Sequence, residues 1–366
     1  MLKLDEINCF GGVMVNKFKK QLEQYEKFWN REKLSRPILN MSAVTGEAYK
    51  SPESLEQKWL DEDYILDAAL HKHKNTTYLA EGVPFLFTNL GPGCLAGCIG
   101  GSYTLDNRTI WYDRNPIIED WENPPEIKLD TECDLFGRIE KMQKKFFSCG
   151  DINTSITDIG GILDIICSLR GTENMLYDLY DYPDEVKALT KKVTELWFEY
   201  FNMQVEKVKQ AGQPYNNWMN VPSAKPWYPL QCDFSYMISP AQFEEFVLPH
   251  IVEQVGAMDR SIYHLDGVGE IPHLDMLLDI EGLSGIQWVA GGGQPPLCDE
   301  RWFPLYKKIQ DKKKNIVLMS GISANDMAGA ERLIKTLDPT GVYISYQAGT
   351  VEKAEMMLEN IEKWTS

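Results

Sequence analysis

The chain has 366 residues, 43% of them hydrophobic, so it can bury a large core in one or two domains. Its formal net charge of −17 at pH 7 opposes binding to nucleic acid and to anionic membrane surfaces. No run approaches the ~18 apolar residues of a membrane span. No secretory signal opens the sequence, and scattered cysteines are typical of a reducing compartment. We therefore expect a cytoplasmic protein that acts on a small molecule.

Strand and helix patterns alternate along most of the chain. Amphipathic or capped segments predict helices over residues 15–34, 54–75, 183–212, 240–258, 271–279, 301–312, 325–337 and 350–364. Short apolar runs that end in polar or glycine residues predict strands near residues 37–41, 82–89, 152–158, 215–221, 228–234, 261–266, 284–289, 315–319 and 341–345.

This alternation is typical of an α/β protein whose parallel strands are joined by crossover helices. About eight strands favour a single (β/α)8 TIM barrel spanning residues 1–366 over an open doubly wound sheet. Residues 1–35 are predicted to form a helical extension. The proline-rich residues 107–129 are predicted to form an insertion at the rim of the barrel or at an interface. No dinucleotide-binding glycine motif follows the first strand, and no P-loop is present.

The stretch 261–269 is the most informative part of the sequence. Two apolar residues precede His264 and Asp266, and Gly267 follows them directly. Side chains two residues apart on a strand share a face, so both groups are expected at the carboxyl end of one strand. In parallel α/β folds, ligands and catalytic groups collect at that end. The alternative is a buried histidine that simply bonds a neighbouring carboxylate.

Cys232 is predicted to lie near this pair, at the end of the preceding strand. Thiolate, imidazole and carboxylate are ordinary zinc ligands, so Cys232, His264 and Asp266 form a candidate metal site with one open position. A nucleophilic pair of Cys232 and His264 is a second interpretation. A third is an isolated buried cysteine beside a His–Asp pair.

Several motifs resemble the superfamily of uroporphyrinogen decarboxylases and corrinoid or coenzyme M methyltransferases. The run 231–249, which includes Ser239-Pro240, resembles a helix start of that superfamily, and Tyr263-His-Leu-Asp-Gly267 is similar to its zinc-binding His-x-Cys-Gly segment. Leu90-Gly-Pro-Gly93, Asp158-Ile-Gly-Gly161, Arg170-Gly171 and Gln287-Trp288 add to the resemblance.

The resemblance implies a zinc-dependent methyltransferase that demethylates a small organic substrate and delivers the methyl group to a corrinoid carried by a partner protein. His264, Asp266 and Asp158 would then be catalytic, and Cys232, His264 and Asp266 would hold the metal. The substrate would be positioned by Asn89, Trp218, Gln287 and Tyr346. A homodimer is also expected from the resemblance.

Two alternatives stay open. One is a decarboxylase of a porphyrinogen or a smaller carboxylate, in which Asp158 or Asp266 stabilises a protonated intermediate. The decarboxylases carry two arginines on their first strand, and this chain has Ser42 and Gly46 there, so bidentate pairing with substrate carboxylates is lost. The other is a non-catalytic barrel that binds a small molecule.

Overall fold

A seven-stranded mixed sheet is the central feature of the computed structural model, which describes residues 18–150 and 152–366. The strands, numbered along the chain, are β1 (Ile38–Val44), β2 (Thr76–Ala80), β3 (Phe85–Phe87), β4 (Thr104–Leu105), β5 (Ile110–Trp111), β6 (Asn153–Ser155), β7 (Trp227–Gln231), β8 (Arg260–Asp266), β9 (Gly285–Val289), β10 (Asn315–Leu318) and β11 (Val342–Ala348).

Helices follow or connect most of these strands. They are α1 (Lys19–Trp29), α2 (Leu55–Leu60), α3 (Glu62–Lys74), α4 (Leu95–Cys98), α5 (Asp134–Ser148), α6 (Ile162–Arg170), α7 (Thr172–Asp181), α8 (Pro183–Gln210), α9 (Pro240–Gln242), α10 (Leu248–Ala257), α11 (Leu274–Leu278), α12 (Phe303–Asp311), α13 (Met327–Thr336) and α14 (Val351–Thr365). A π turn over Phe243–Val247 joins α9 to α10, and 3-10 turns cover Asp233–Met237, Val268–His273 and Glu300–Trp302.

The strand order in the main sheet is β2-β1-β11-β10-β9-β8-β7. All of these neighbours are parallel except β2, which pairs antiparallel with β1. β3 and β6 form a separate parallel pair, and β4 and β5 an antiparallel hairpin. The predicted α/β class is therefore confirmed. Among the described residues no backbone ladder joins β3 to β1 or β6 to β7, so the sheet is not shown as closed.

Two segments differ from the sequence-based expectation for local reasons. The helix predicted over residues 54–75 is two helices, because Asp61 is extended and its carboxylate caps α3 at the amides of Asp63 and Tyr64. The expected helix over residues 15–34 is present as α1, and residues 15–17 lie outside the described residues. The antiparallel strand β2 was not predicted, because its residues 76–80 continue the pattern of α3 without a glycine or proline between them.

The strand predicted over residues 215–221 is wrong. Only an isolated bridge between Tyr215 and Ser223 forms there. The amide Oδ1 of Asn217 accepts from the backbone N–H of Met219, and Asn216 bonds Asn153. Asparagine side chains that bond the local backbone replace ladder hydrogen bonds and favour turns over strands.

The core surrounds the sheet on both faces. Every residue of β7 and β10 is buried, as expected of strands covered on both sides. The tryptophans Trp197, Trp227 and Trp288 are fully enclosed, and burial of an aromatic side chain contributes roughly 1.5–3 kcal/mol. This packing fixes the strand ends, where the candidate site lies. No helix of the described residues has both the length and the apolar character needed to cross a bilayer.

Candidate active and metal-binding site

The carboxyl ends of β7, β8 and β9 bring polar side chains together. In the parallel register, Gln231 of β7 pairs with His264 of β8, and His264 pairs with Gln287 of β9. His264 and Asp266 lie on one face of β8, with His264 Nε2 3.8 Å from Asp266 Oδ2. The structure therefore places the two residues side by side at a strand end, as the i and i+2 spacing predicts.

Asp233 completes a group of three side chains that could hold a metal. One ligand atom each from Asp233, His264 and Asp266 lies within 4.8 Å of the others. Imidazole nitrogen and carboxylate oxygen are ligands for zinc and for other divalent ions. Three protein ligands from two neighbouring strand ends leave positions for a substrate or water, which is the arrangement of a catalytic metal.

Cys232, the predicted third ligand, is not a member of this group. Its side chain is fully buried, and burial together with the charge of Asp164 raises the pKa of the Cys232 thiol well above its usual range. The reason lies where β7 ends. Its last residue, Gln231, pairs with His264, and the 3-10 turn that begins at Asp233 brings Asp233, and not Cys232, to the side of Asp266.

His264 is held in one orientation by its neighbours. Its Nδ1 lies 2.6 Å from Oε1 of Gln287, a buried amide oxygen that can only accept, so Nδ1 carries the proton and donates. The other ring nitrogen, Nε2, lies on the side of the carboxylates, 3.8 Å from Asp266 Oδ2. The edge of Trp218 packs on the imidazole, with ring centroids 5.1 Å apart. Metal-binding histidines commonly have such a partner on the other ring nitrogen.

Asp158 lies beside this group, after β6. Its Oδ1 accepts from the N–H of Gly160 at 3.1 Å and from the hydroxyl of Tyr228 at 3.2 Å. Burial raises the pKa of Asp158 to about 6, against the lowering effects of the Tyr228 hydrogen bond and of a charge on His264. Asp233 raises it further, so the carboxyl is within electrostatic reach of the metal-binding group. A carboxyl with such a pKa can take or give a proton near neutral pH.

Two further carboxyls support the site and were not predicted as site residues. Asp164, in the first turn of α6, accepts from the backbone N–H groups of Asp233 and Phe234 at 3.0 and 2.9 Å, and burial raises its pKa. Glu270 is fully buried, and its Oε2 accepts from the N–H of Asp266 at 3.2 Å. Burial and the charge of Asp233 raise the pKa of Glu270 to about 10. The two carboxyls fix the backbone at both aspartates of the candidate metal-binding group.

The four predicted substrate-binding residues do not all meet at His264. Gln287 and Trp218 contact it directly. Asn89 is exposed between β3 and α4, and its side chain accepts from the N–H of Gly91. Tyr346 is buried on β11, and burial raises the pKa of its hydroxyl.

These features define an α/β enzyme with an acidic site at the carboxyl ends of parallel strands. The sequence model of the family described as "Uroporphyrinogen decarboxylase (URO-D)" matches residues 139–288. A uroporphyrinogen decarboxylase from Geobacter sp. (strain M21) is 27% identical over 121 residues, which cover 32% of this chain and 30% of the relative. The corresponding protein of Trichlorobacter lovleyi is 24% identical over 188 residues, 50% of this chain and 42% of the relative.

A solved structure of a methyltransferase from Methanosarcina mazei has the same fold. It superposes with a TM-score of 0.61 at 13% identity, over 94% of this chain and 99% of that one. The chain spans less than half the length of the curated relatives described above. The predicted resemblance to the uroporphyrinogen decarboxylase and methyltransferase superfamily is thus confirmed: residues 139–288 match the family model, and the solved methyltransferase shares the fold.

Proposed function

We propose that this protein is a methyltransferase that removes a methyl group from a small organic substrate at the site formed by Asp233, His264 and Asp266. One observation carries the proposal. Three ligand atoms converge within 4.8 Å, and Gln287 turns the free nitrogen of His264 toward the two carboxylates. The methyl acceptor in this proposal is a corrinoid carried by a partner protein, and only the likeness to methyltransferases supports that part.

The donor set fits a divalent metal such as zinc. Asp233, His264 and Asp266 would hold it, and a bound zinc would act as a Lewis acid that polarises the heteroatom bearing the methyl group. One nitrogen and two carboxylates make a harder site than a pair of thiolates would. The ligand set therefore favours an oxygen substrate, a methyl ether or methyl alcohol, over a thiol.

The protein's own groups perform the remaining tasks. Gln287 holds the tautomer of His264, and the ring of Trp218 shields one side of the imidazole from water. When the bond between the methyl group and oxygen breaks, the departing oxygen keeps the electron pair and needs a proton. Asp158, whose pKa is about 6 and which is within electrostatic reach of His264 and Asp233, would supply it.

The architecture proposed for this activity is a single barrel domain. β1, β3 and β6 to β11 would supply its eight parallel strands, in the order in which a (β/α)8 barrel uses them. Closure would bring β3 beside β1 and β6 beside β7. Asp158 and Asp233 would then lie on adjacent strand ends, in agreement with the effect of Asp233 on the pKa of Asp158.

A second candidate function is decarboxylation of a carboxylate substrate. The names of the curated relatives and the buried Asp158 favour it. Asp233 raises the pKa of both Asp158 and Asp164, although a charge on His264 lowers that of Asp158, and this group of carboxylates would repel an anionic substrate. Incubation with uroporphyrinogen tests this candidate, and loss of the mass of one carbon dioxide per step would favour it over methyl transfer.

Metal analysis of protein purified without added metal tests the leading proposal. We expect about one equivalent of zinc in the wild-type protein and less than about a tenth in His264→Ala. Cys232→Ser is the matched control, because a thiol outside the ligand group should not change the metal content. Less than a tenth of an equivalent in the wild type would refute the metal-dependent version. Loss of metal in Cys232→Ser would refute the ligand set.

A further inference from the structure

A cavity of about 240 Å³ adjoins the metal-binding group and shares Asp233 with it. One wall comes from β5 and the residues after it, and the opposite wall comes from α6 and from the turn after β7. The volume is close to the lower end of ~300–1,000 Å³ for ligand pockets, so the cavity suits a small group of few atoms. The argument uses the lining residues Trp111, Asp113, Asp164, Gln231, Asp233 and Phe234.

The charge of this wall is negative. Asp113, Asp164 and Asp233 line it, and no lysine or arginine of the described residues does. The nearby cation Arg114 lies over the ring of Trp111, with the guanidinium carbon 5.4 Å from the ring centroid, but it is not part of the wall. A cavity with three carboxylates and no cation on its wall favours a positively charged occupant and opposes an anionic one.

Gln231 independently indicates that a ligand binds in this cavity. Its side chain is 6% exposed, and its Oε1 is buried without a hydrogen-bond partner. Gln231 lies in register with His264, so its side chain is on the face of the sheet that carries the site. A buried amide oxygen without a donor costs roughly 1–3 kcal/mol, and a ligand N–H group would satisfy it.

Aromatic residues also line the cavity. Trp111, on β5, is partly exposed, while Phe234 is buried beside Asp233. Aromatic faces attract ammonium groups, most strongly where the cation is removed from water. Carboxylates, an unpaired amide oxygen and aromatic rings together suit a protonated alkylamine.

We propose that the substrate of the reaction carries a protonated amine and that this cavity binds it. The inference rests on the proposed function for the identity of the site, and it names the substrate class. The ammonium group occupies the cavity, with its N–H donor on Gln231 and its charge between Asp113 and Asp164. Because Asp233 belongs to both the cavity and the metal-binding group, the methylated heteroatom of the same small molecule reaches His264.

Calorimetric titration of the full chain with small probes tests the inference without requiring turnover. We expect trimethylammonium to bind at least about tenfold more tightly than tert-butanol, its neutral isostere, and we expect the carboxylate pivalate not to bind. Tetramethylammonium, which lacks an N–H donor, should bind more weakly than trimethylammonium. Equal binding of trimethylammonium and tert-butanol would overturn the inference, and equal binding of the two ammonium ions would overturn the role of Gln231.

Three variants locate the binding. At about pH 8.5, where Asp164 is ionised, Asp164→Asn and Asp113→Asn should each weaken trimethylammonium binding by about tenfold, because each removes a charge from the wall. Asp181→Asn, an equal change of charge on the exposed end of α7, should leave it unchanged. Asp113 is exposed, so its variant should fold even if Asp164→Asn does not. Unchanged affinity in Asp113→Asn would refute the site.

Metal analysis of the same preparations separates this inference from the proposed function. Ammonium selectivity in a protein without metal would support the cavity and refute the metal-dependent proposal. Bound metal and methyl transfer without ammonium selectivity would support the metal-dependent proposal and refute the role of the cavity.

Discussion

Replacing Gln287 by leucine removes the only acceptor for Nδ1 of His264 among the described residues. Gln287 is 2% exposed, so water does not readily take its place. An unsatisfied N–H group in such surroundings costs roughly 1–3 kcal/mol. The ring can avoid this cost by moving its proton to Nε2, but Nε2 is then no longer a ligand.

The expected consequence is weaker zinc binding. Since 1.4 kcal/mol corresponds to a factor of ten, the cost predicts a loss of about 10- to 100-fold in affinity, which is the range known for partners of metal-binding histidines. Gln287→Glu keeps an acceptor at the same place and should retain most of the affinity.

A competition titration with a chromophoric zinc chelator measures this affinity, and circular dichroism checks the fold of each variant. Gln254→Leu is the control, because Gln254 is an equally buried glutamine on α10. Nitrogen-15 spectra of the metal-free wild type should show the proton of His264 on Nδ1. Unchanged zinc affinity in a folded Gln287→Leu protein, or a proton on Nε2 in the wild type, would refute the reasoning.

Three further predictions concern stability. Asp158→Asn should stabilise the fold at pH 8 by up to roughly 3 kcal/mol and have little effect at pH 4, because a pKa raised from 3.8 to about 6 means that ionisation opposes folding as the pH rises through 6. Arg170→Ala should lower the free energy of unfolding by about 3–5 kcal/mol, since it leaves the buried carboxylate of Asp178, 2.7 Å from Arg170 Nε, without its partner. Gly161→Ala should cost about 1–3 kcal/mol, because its Cβ would lie 2.2 Å from a backbone oxygen of β7, whereas Gly292→Ala meets no atom within 4 Å.

Urea denaturation at fixed pH measures all three predictions. Asp158→Asn is contradicted if its effect is equal at pH 4 and pH 8. For the buried ion pair, the double variant Arg170→Met with Asp178→Leu should recover much of the lost stability, and failure to do so would point to the bonds from Arg170 to Ile118 and Glu119. Gly161→Ala and Gly292→Ala of equal stability would contradict the steric argument.

The sequence predicted the alternation of strands and helices well, because apolar strands and capped helices carry local signals. It predicted His264 and Asp266 as neighbours for the same reason, since both lie on one strand. Its third candidate ligand, Cys232, lies outside the group of side chains that could hold a metal, and Asp233 lies within it. The choice between the two depends on where β7 ends and on the bond of the following turn to Asp164, which the local sequence does not reveal.

The other differences also come from interactions between segments. The sequence near residue 217 predicts a strand, but in the structure its asparagines bond Asn153 and the local backbone instead. Asp164 and Glu270 carry no motif, and they matter only because tertiary packing brings them to the backbone of the two aspartate ligands.

The residues that line the cavity come from two parts of the chain, which are held in place in different ways. The carboxylate of Asp164 accepts from the backbone N–H of Asp233, so a substitution of Asp164 would also disturb the candidate site. Trp111 and Asp113 belong to a short hairpin and the loop after it, and that loop is joined to α6 by backbone bonds from Ile117 and Ile118 to Leu169. Exchange of this segment for one of another composition would leave Asp233, His264 and Asp266 in place and change the lining of the cavity. Under the proposed function, substrate preference could therefore be altered without disturbing the residues that would hold the metal.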